Sequence, residues 1–268
     1  MRAGVVTIPH PLAEGAVIDR IVDIGRRVEA LGFDGLWVTD AFGRGRPTLD
    51  PLTLLAALCP ETRRIELGTC VVQIPLRNPV EHAHRVQSVN VLARGRLRLG
   101  VGSGSTRADF DAVGADYDSR FKTLPAYLDV MRRAWNGEAA LSLWPGTEGG
   151  PPVLLGAWRS ARWINLAAGA CQGWIASGIY SSLDDLEIGL RMYRAAGGTR
   201  AVLANVFTDL RPEPKLSPVM ANAKVSLLCT RTEARERLKR LEQIGFDDVL
   251  LVCPFEAPEQ LDEIRTLL

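Results

Sequence analysis

The sequence predicts a closed (β/α)8 barrel, and two observations carry that prediction. Short apolar runs alternate with amphipathic stretches almost from end to end, giving about eight βα units. One helix-to-strand hinge also recurs near both ends of the chain. Arg27-Val-Glu-Ala-Leu-Gly-Phe-Asp-Gly-Leu-Trp-Val38 is echoed by Arg240-Leu-Glu-Gln-Ile-Gly-Phe-Asp-Asp-Val-Leu-Leu251. In each, a glycine (Gly32, Gly245) suits the left-handed position after a helix, a phenylalanine folds back on the last turn, and a strand follows at once. The 268 residues match the roughly 250 of such a barrel, so residues 1–268 are expected to form one domain.

The elements follow in order. Ala3–Ile8 reads as the first strand. Ala16–Leu31 reads as a helix, because Ile18, Ile21, Val22, Gly25, Val28 and Leu31 recur on one side. Gly35–Thr39 is the second strand, and Asp50–Cys59 is a short helix with Pro51 in its first turn. Arg64–Val71 and Arg96–Val101 are strands, with helices over Pro79–Leu92 and Arg120–Trp135. A Gly/Pro-rich loop, Pro145–Pro152, precedes the strands Val153–Gly156, Gly173–Ser177, Ala201–Phe207 and Val249–Cys253. Asp209–Pro218 holds three prolines and reads as a loop, since proline continues neither a helix nor a central strand.

Composition narrows the function. With 32 basic and 31 acidic residues the net charge is +1, and no basic face for nucleic acid is expected. The three histidines (His10, His82, His84) do not pair with cysteines at zinc-ligand spacing, so no metal site is expected. His82 and His84, on different sides of one helix, are read as surface or interface residues. Five scattered cysteines fit a reducing cytoplasm better than a disulfide framework. Neither an apolar run long enough for a membrane span nor a signal-peptide pattern is read.

In a barrel, function collects on the loops at the C-terminal ends of the strands. Leu99-Gly-Val-Gly-Ser-Gly-Ser-Thr-Arg107 places alternating glycines there, and such a run lets backbone amides approach a ligand. It is not the dinucleotide fingerprint, because Ser105 and Arg107 stand where that register needs glycine. Leu155-Gly-Ala-Trp-Arg-Ser-Ala-Arg162 runs from a strand into the helix 160–168. Free amides at that helix start, with Arg159 and Arg162 beside them, suit a phosphate. Asp40 and His10 end adjacent strands. They either share a pocket, or Asp40 braces a loop and His10, between two prolines, is scaffolding. The residues alone thus lead to a barrel that binds an anionic, phosphate-bearing cofactor at its top.

Several ordered stretches carry a resemblance. Gly32-Phe-Asp-Gly-Leu-Trp-Val-Thr-Asp40, Asp50-Pro-Leu-Thr-Leu-Leu-Ala-Ala, Thr62-Arg-Arg-Ile-Glu-Leu-Gly-Thr69, Gly95-Arg-Leu-Arg-Leu-Gly-Val-Gly-Ser-Gly104, and Pro152-Val-Leu-Leu-Gly156 leading to Gly173-Trp-Ile-Ala-Ser-Gly178 resemble the bacterial luciferase-like monooxygenases. That family uses reduced FMN or the deazaflavin coenzyme F420 in α/β barrels, for oxygenation or hydride transfer on small organic substrates. The resemblance implies Asp40 near the cofactor ring and a non-proline cis peptide at Cys70–Val71 backing it. It further implies Gln73 at the cofactor's edge, Ser103 and Gly104 on its side chain, and Trp158, Arg159, Ser160, Ala161 and Arg162 around its phosphate. A homodimer through the helices after strands 2 and 3 is also implied.

The departures bear on the reaction. Deazaflavin-dependent relatives carry a histidine where this chain has Ala41, and often a glutamate where it has Ser105. FMN-dependent luciferases place an arginine where Ser103 stands, a charge that Arg159 would supply instead. Sugar-phosphate dehydrogenation is therefore not expected. Oxygenation asks less of protein acid/base groups, because the cofactor does the hard chemistry, and His10 and Asp40 are the candidate catalytic residues. The competing expectation is a non-catalytic cofactor-binding or partner subunit that has lost the acid/base set.

Overall fold

The computed structural model describes residues 1–12, 17–42, 45, 47–139, 141–214 and 216–268. Parallel strands close into a barrel. They are β1 (Arg2–Thr7), β2 (Gly35–Val38), β3 (Glu66–Thr69), β5 (Leu97–Gly102), β6 (Val153–Gly156), β7 (Gly173–Ser177), β8 (Ala201–Thr208) and β10 (Asp248–Val252). Each pairs with the next, and β10 closes the ring by pairing with both β8 and β1. Two short strands lie on its rim, β4 (Val72–Gln73) beside β5 and β9 (Ser226–Leu227) beside β8. The outer helices are α1 (Val17–Ala30), α2 (Pro51–Leu58), α3 (Pro79–Ala93), α4 (Arg107–Asp111), α5 (Arg120–Trp135), α6 (Ala161–Ala170), α7 (Leu183–Ala195), α8 (Pro218–Ala221), α9 (Arg231–Ile244) and α10 (Gln260–Arg265). The predicted (β/α)8 class is the observed one.

Both hinges form as the sequence predicts. Gly32 has φ +76° and Gly245 has φ +104°, and Phe33 and Phe246 are buried after them. The Phe33 amide donates to Val28 O at 3.1 Å, closing the last turn of α1.

Period-2 alternation sorts the strand residues into a barrel interior and an outer face against the helices. The N-terminal end of the interior is charged. Arg200 Nη2 donates to Glu66 Oε2 at 2.7 Å and to Asp248 Oδ1 at 2.9 Å, and Arg98 Nε donates to Glu66 Oε1 at 2.8 Å. Burial by itself would raise the Glu66 carboxyl, but the hydrogen bonds and charges of Arg200, with those of Arg98 and Arg2, hold it below its ordinary value. The middle is filled by the buried Trp37 indole, which needs glycines around it: a Cβ on Gly68 would lie 2.2 Å from Trp37 Cε3. Further along the strands come Val6, Cys70, Ile175, Ala204, Phe207 and Val252, and the next residues toward the C-terminal ends, Ile8, Val71 and Ile179, are partly exposed.

Some sequence expectations need correction. The strand predicted over Arg64–Val71 begins at Glu66 and stops at Thr69, the Cys70–Val71 peptide is cis, and pairing resumes at Val72. Pro218 does not close a loop but opens α8, at the first turn, where a missing N–H costs nothing. His82 is not a surface residue: it is 1% exposed, on the inner side of α3, whereas His84 is exposed. Ala16, Gly43, Arg44, Arg46 and Lys215, which fall in predicted elements or loops, lie outside the described residues.

Candidate functional site

The alternating glycines of β5 serve close packing. Thr69 Oγ1 donates to Gly100 O at 2.7 Å, and a Cβ on Gly100 would sit 1.9 Å from Thr69 O. A Cβ on Gly102 would sit 2.5 Å from Val71 Cγ2, and one on Gly156 3.1 Å from Val71 Cγ1. Gly100 and Gly102 therefore admit the neighbouring strand and Val71. The Val71 side chain lies across the ends of β5 and β6. Gly104, at φ +81°, is different: a Cβ there would meet Gln73 Oε1 at 2.6 Å. Ser103, beside it, is partly exposed.

Asp40, at the end of β2, is buried and held by the segment after the cis peptide. Its Oδ2 accepts from the Gln73 amide at 2.8 Å and from Arg77 Nη1 at 2.7 Å, while Oδ1 accepts from Arg77 Nη2 at 2.9 Å. Gln73 Nε2 donates to Asp40 O at 3.2 Å and to Asp109 Oδ2 at 3.0 Å. Gln73 Oε1 is buried without a hydrogen-bond partner among the described residues. Asp40, Cys70, Val71, Gln73, Ser103 and Gly104 thus meet on one side of the barrel mouth. Sequence reasoning missed Arg77 and Asp109. Arg77 carried a signal, as a lone charge closing the apolar run Ile74-Pro-Leu76.

The phosphate candidate lies next to this cluster, beyond Gly156. Ser160 is the N-cap of α6, yet its side chain makes no capping bond, and Trp163 and Ile164 amides turn to Ser160 O. The Ala161 and Arg162 amides have no acceptor among the described residues, and 158–162 are all exposed. By contrast Ser182 and Thr230 cap α7 and α9 with full capping boxes. Arg159 Nη1 stands 3.8 Å from Asp185 Oδ1. Trp158 stacks on Tyr180 with centroids 4.0 Å apart, both 45% exposed, so two successive loops share an aromatic wall beside the helix start.

His10 stands elsewhere on the rim. Its ring packs edge-on against Phe255 at 5.1 Å, Nδ1 faces Ile8 O at 3.3 Å, and Nε2 is 4.0 Å from Glu256 Oε2. Glu256 also accepts from Arg211, which donates to the buried Asp209. His10 and Asp40 therefore belong to separate networks. Between β1 and β8 the mouth is apolar, with Ile8, Ile179, Met220, Ala223 and Leu228 packed on the interior cluster. Among the described residues no group of three or more His, Cys, Asp or Glu could hold a metal, and no helix is long and apolar enough to cross a membrane.

The profile of the luciferase-like monooxygenase family matches residues 1–201. The 4-hydroxyprotoasukamycin monooxygenase of Streptomyces nodosus subsp. asukaensis is 35% identical over 133 residues, which is 48% of this chain and 36% of that protein. The chain thus spans about a third of the length of that relative. Monooxygenase RslO1 from Streptomyces bottropensis superposes with a TM-score of 0.85 at 18% identity, over 100% of this chain and 98% of that one. An F420-dependent secondary alcohol dehydrogenase, in complex with an F420-acetone adduct, superposes with a TM-score of 0.77 at 14% identity, over 100% and 98% of the two chains. The oxygenating constituent of 3,6-diketocamphane monooxygenase of Pseudomonas putida, in complex with FMN, gives 0.76 at 15% identity over 100% and 96%. At these identities the structural likeness is one of fold.

Proposed function

The chain belongs to the luciferase-like monooxygenase family, and on that premise we propose that it is an oxidoreductase working with FMN or coenzyme F420 on a small organic substrate at the barrel mouth. The observation that carries this reading is the open start of α6. A serine well suited to capping leaves the amides of Ala161 and Arg162 free, with Arg159 and Arg162 beside them, which is the donor set a phosphate takes. The residues present therefore fit a phosphate-bearing cofactor.

In this reading Trp158, Arg159, Ser160, Ala161 and Arg162 hold the phosphate. Cys70, Val71, Ser103 and Gly104 form the surface on which the ring and its side chain rest. Bound there in reduced form, the cofactor supplies the hydride or, for FMN, the oxygen activation. Asp40 and Gln73 position that surface: with Arg77 they fix the strap of residues 70–77 against β2 and α4. His10, partly exposed on the rim beside Phe255, is the proposed proton-carrying residue of the mouth. Two copies would pair through α2 and α3, where Leu92 stands 53% exposed. Five cysteines, none in a disulfide, support a cytoplasmic setting.

Spectral titration with FMN and with F420 tests the proposal. Binding of one of them, followed by its reoxidation in the presence of a substrate, is the expected result. Binding without turnover across a broad substrate panel would instead favour a non-catalytic cofactor-binding subunit, consistent with Ala41 in place of an ionisable residue and with Asp40 committed to Arg77.

A further inference from the structure

Strand β8 departs from the regular barrel at one place. Leu203 pairs with Val249 and Val206 with Leu251, so Ala204 and Asn205 together oppose the single residue Leu250. This is a β-bulge, and Asn205 takes φ +60°, a left-handed conformation that asparagine tolerates better than most residues. Bulges re-aim a side chain, and here the neighbours show where it goes. Ser177 continues the inward set of β7 after Gly173 and Ile175, and Asn205 Nδ2 donates to Ser177 Oγ at 3.2 Å. The Asn205 side chain therefore points into the barrel mouth.

The pair has unused hydrogen-bonding capacity. Ser177 Oγ already accepts from Asn205 and from the Ile179 amide at 3.4 Å, so its hydroxyl hydrogen is left to donate. Asn205 keeps its second Nδ2 hydrogen and its Oδ1, neither with a partner among the described residues. Around the pair the wall is apolar: Ile175, Ile179, Ala204, Phe207, Met220, Ala223 and Leu228. The ionised groups that follow β8, Asp209 and Arg211, are paired with each other, and Arg211 also donates to Glu256.

We propose that Asn205 and Ser177 form the polar contact of the substrate chamber, and that the chamber takes an apolar molecule bearing one uncharged oxygen, a ketone, alcohol or phenol, in preference to a carboxylate. Two neutral donors and one neutral acceptor match a carbonyl or hydroxyl oxygen. They bring no positive charge to pair with a carboxylate, and a buried charge is costly unless it is paired as well as hydrogen-bonded. The inference rests on the barrel mouth being the substrate chamber, and it does not depend on which cofactor binds.

The test uses the full chain and three probes of one size: acetophenone, ethylbenzene and benzoate. Binding is followed by ligand-observed NMR up to about 10 mM, a range that reaches millimolar affinities. Acetophenone is expected to bind about fivefold or more tighter than ethylbenzene, the worth of one hydrogen bond, and benzoate weakest. Asn205→Gly keeps the left-handed backbone and removes the amide, and Ser177→Ala removes the hydroxyl without touching the bulge. Each should bring acetophenone down to the ethylbenzene level while far-UV circular dichroism and cofactor binding stay unchanged. Equal binding of acetophenone and ethylbenzene, stronger binding of benzoate, no binding of acetophenone, or an undiminished preference in both variants would overturn the proposal. Loss of cofactor binding by the unmodified chain would count against the proposed oxidoreductase and leave the probe ranking to be read by itself.

Discussion

Arg77 grips both oxygens of the Asp40 carboxylate, Nη1 at 2.7 Å from Oδ2 and Nη2 at 2.9 Å from Oδ1. The pair is largely buried, and the same Oδ2 receives the Gln73 amide. The acid that ends β2 is thus spent on fixing the strap that carries Cys70 and Val71.

Breaking this pair from one side strands a buried charge. Arg77→Ala should cost about 3–5 kcal/mol in urea unfolding, whereas the double change Asp40→Asn with Arg77→Met should cost clearly less. Equal losses would mean that the pair is not buried in solution as it is here.

His82 lies within electrostatic reach of Arg77, with neither ring nitrogen hydrogen-bonded among the described residues. Burial, reinforced by the nearby Arg77 and Arg85 and opposed by Asp50, pushes its pKa down to about 3. The unfolded chain then binds the proton first, so this contribution to stability is present above about pH 6.5 and is lost as pH falls toward 3. Between pH 7 and 5 the loss should be about 2 kcal/mol. His82→Leu should flatten that limb and leave stability at pH 7 no lower than about 1 kcal/mol below the parent, because no hydrogen bond is removed. Urea midpoints at the two pH values decide it.

Two glycines give opposite expectations. Gly100→Ala would drive a methyl group to 1.9 Å from the Thr69 carbonyl, with nothing flexible to yield, and should abolish folding or lower the midpoint sharply. Gly169→Ala, in α6 with nothing within 4 Å of the added methyl group among the described residues, should stabilise by about 0.5–1 kcal/mol. Thermal melts of both variants are the check.

Much of this was legible in the chain. Apolar runs of four to eight residues bounded by hinges located the barrel strands, since a strand covered on both faces must be apolar throughout. The hinge glycines were readable because a left-handed residue after a helix has few alternatives to glycine. The phosphate candidate was readable for the same local reason, as arginines flank a helix start. What escaped was non-local. The Arg77–Asp40 pair joins residues 37 positions apart, and nothing in the sequence matches one arginine among many to one carboxylate. The burial of His82 depends on which way α3 faces, and that helix carries apolar residues on more than one side. The Asn205 bulge shifts register within a strand whose single polar interruption is Asn205 itself, and one asparagine in an apolar run does not by itself announce an extra residue.

The proposed docking of a phosphate-bearing flavin or deazaflavin at the start of α6 can be measured directly. The most direct measurement is the affinity of FMN and of F420 for the chain and for Arg159→Glu, by quenching of cofactor fluorescence. One cofactor is expected to bind, and reversing the charge is expected to weaken it about tenfold or more, equivalent to about 1.4 kcal/mol, with the fold intact by circular dichroism. Failure of both cofactors to bind the folded parent, or equal affinity in the variant, would contradict it.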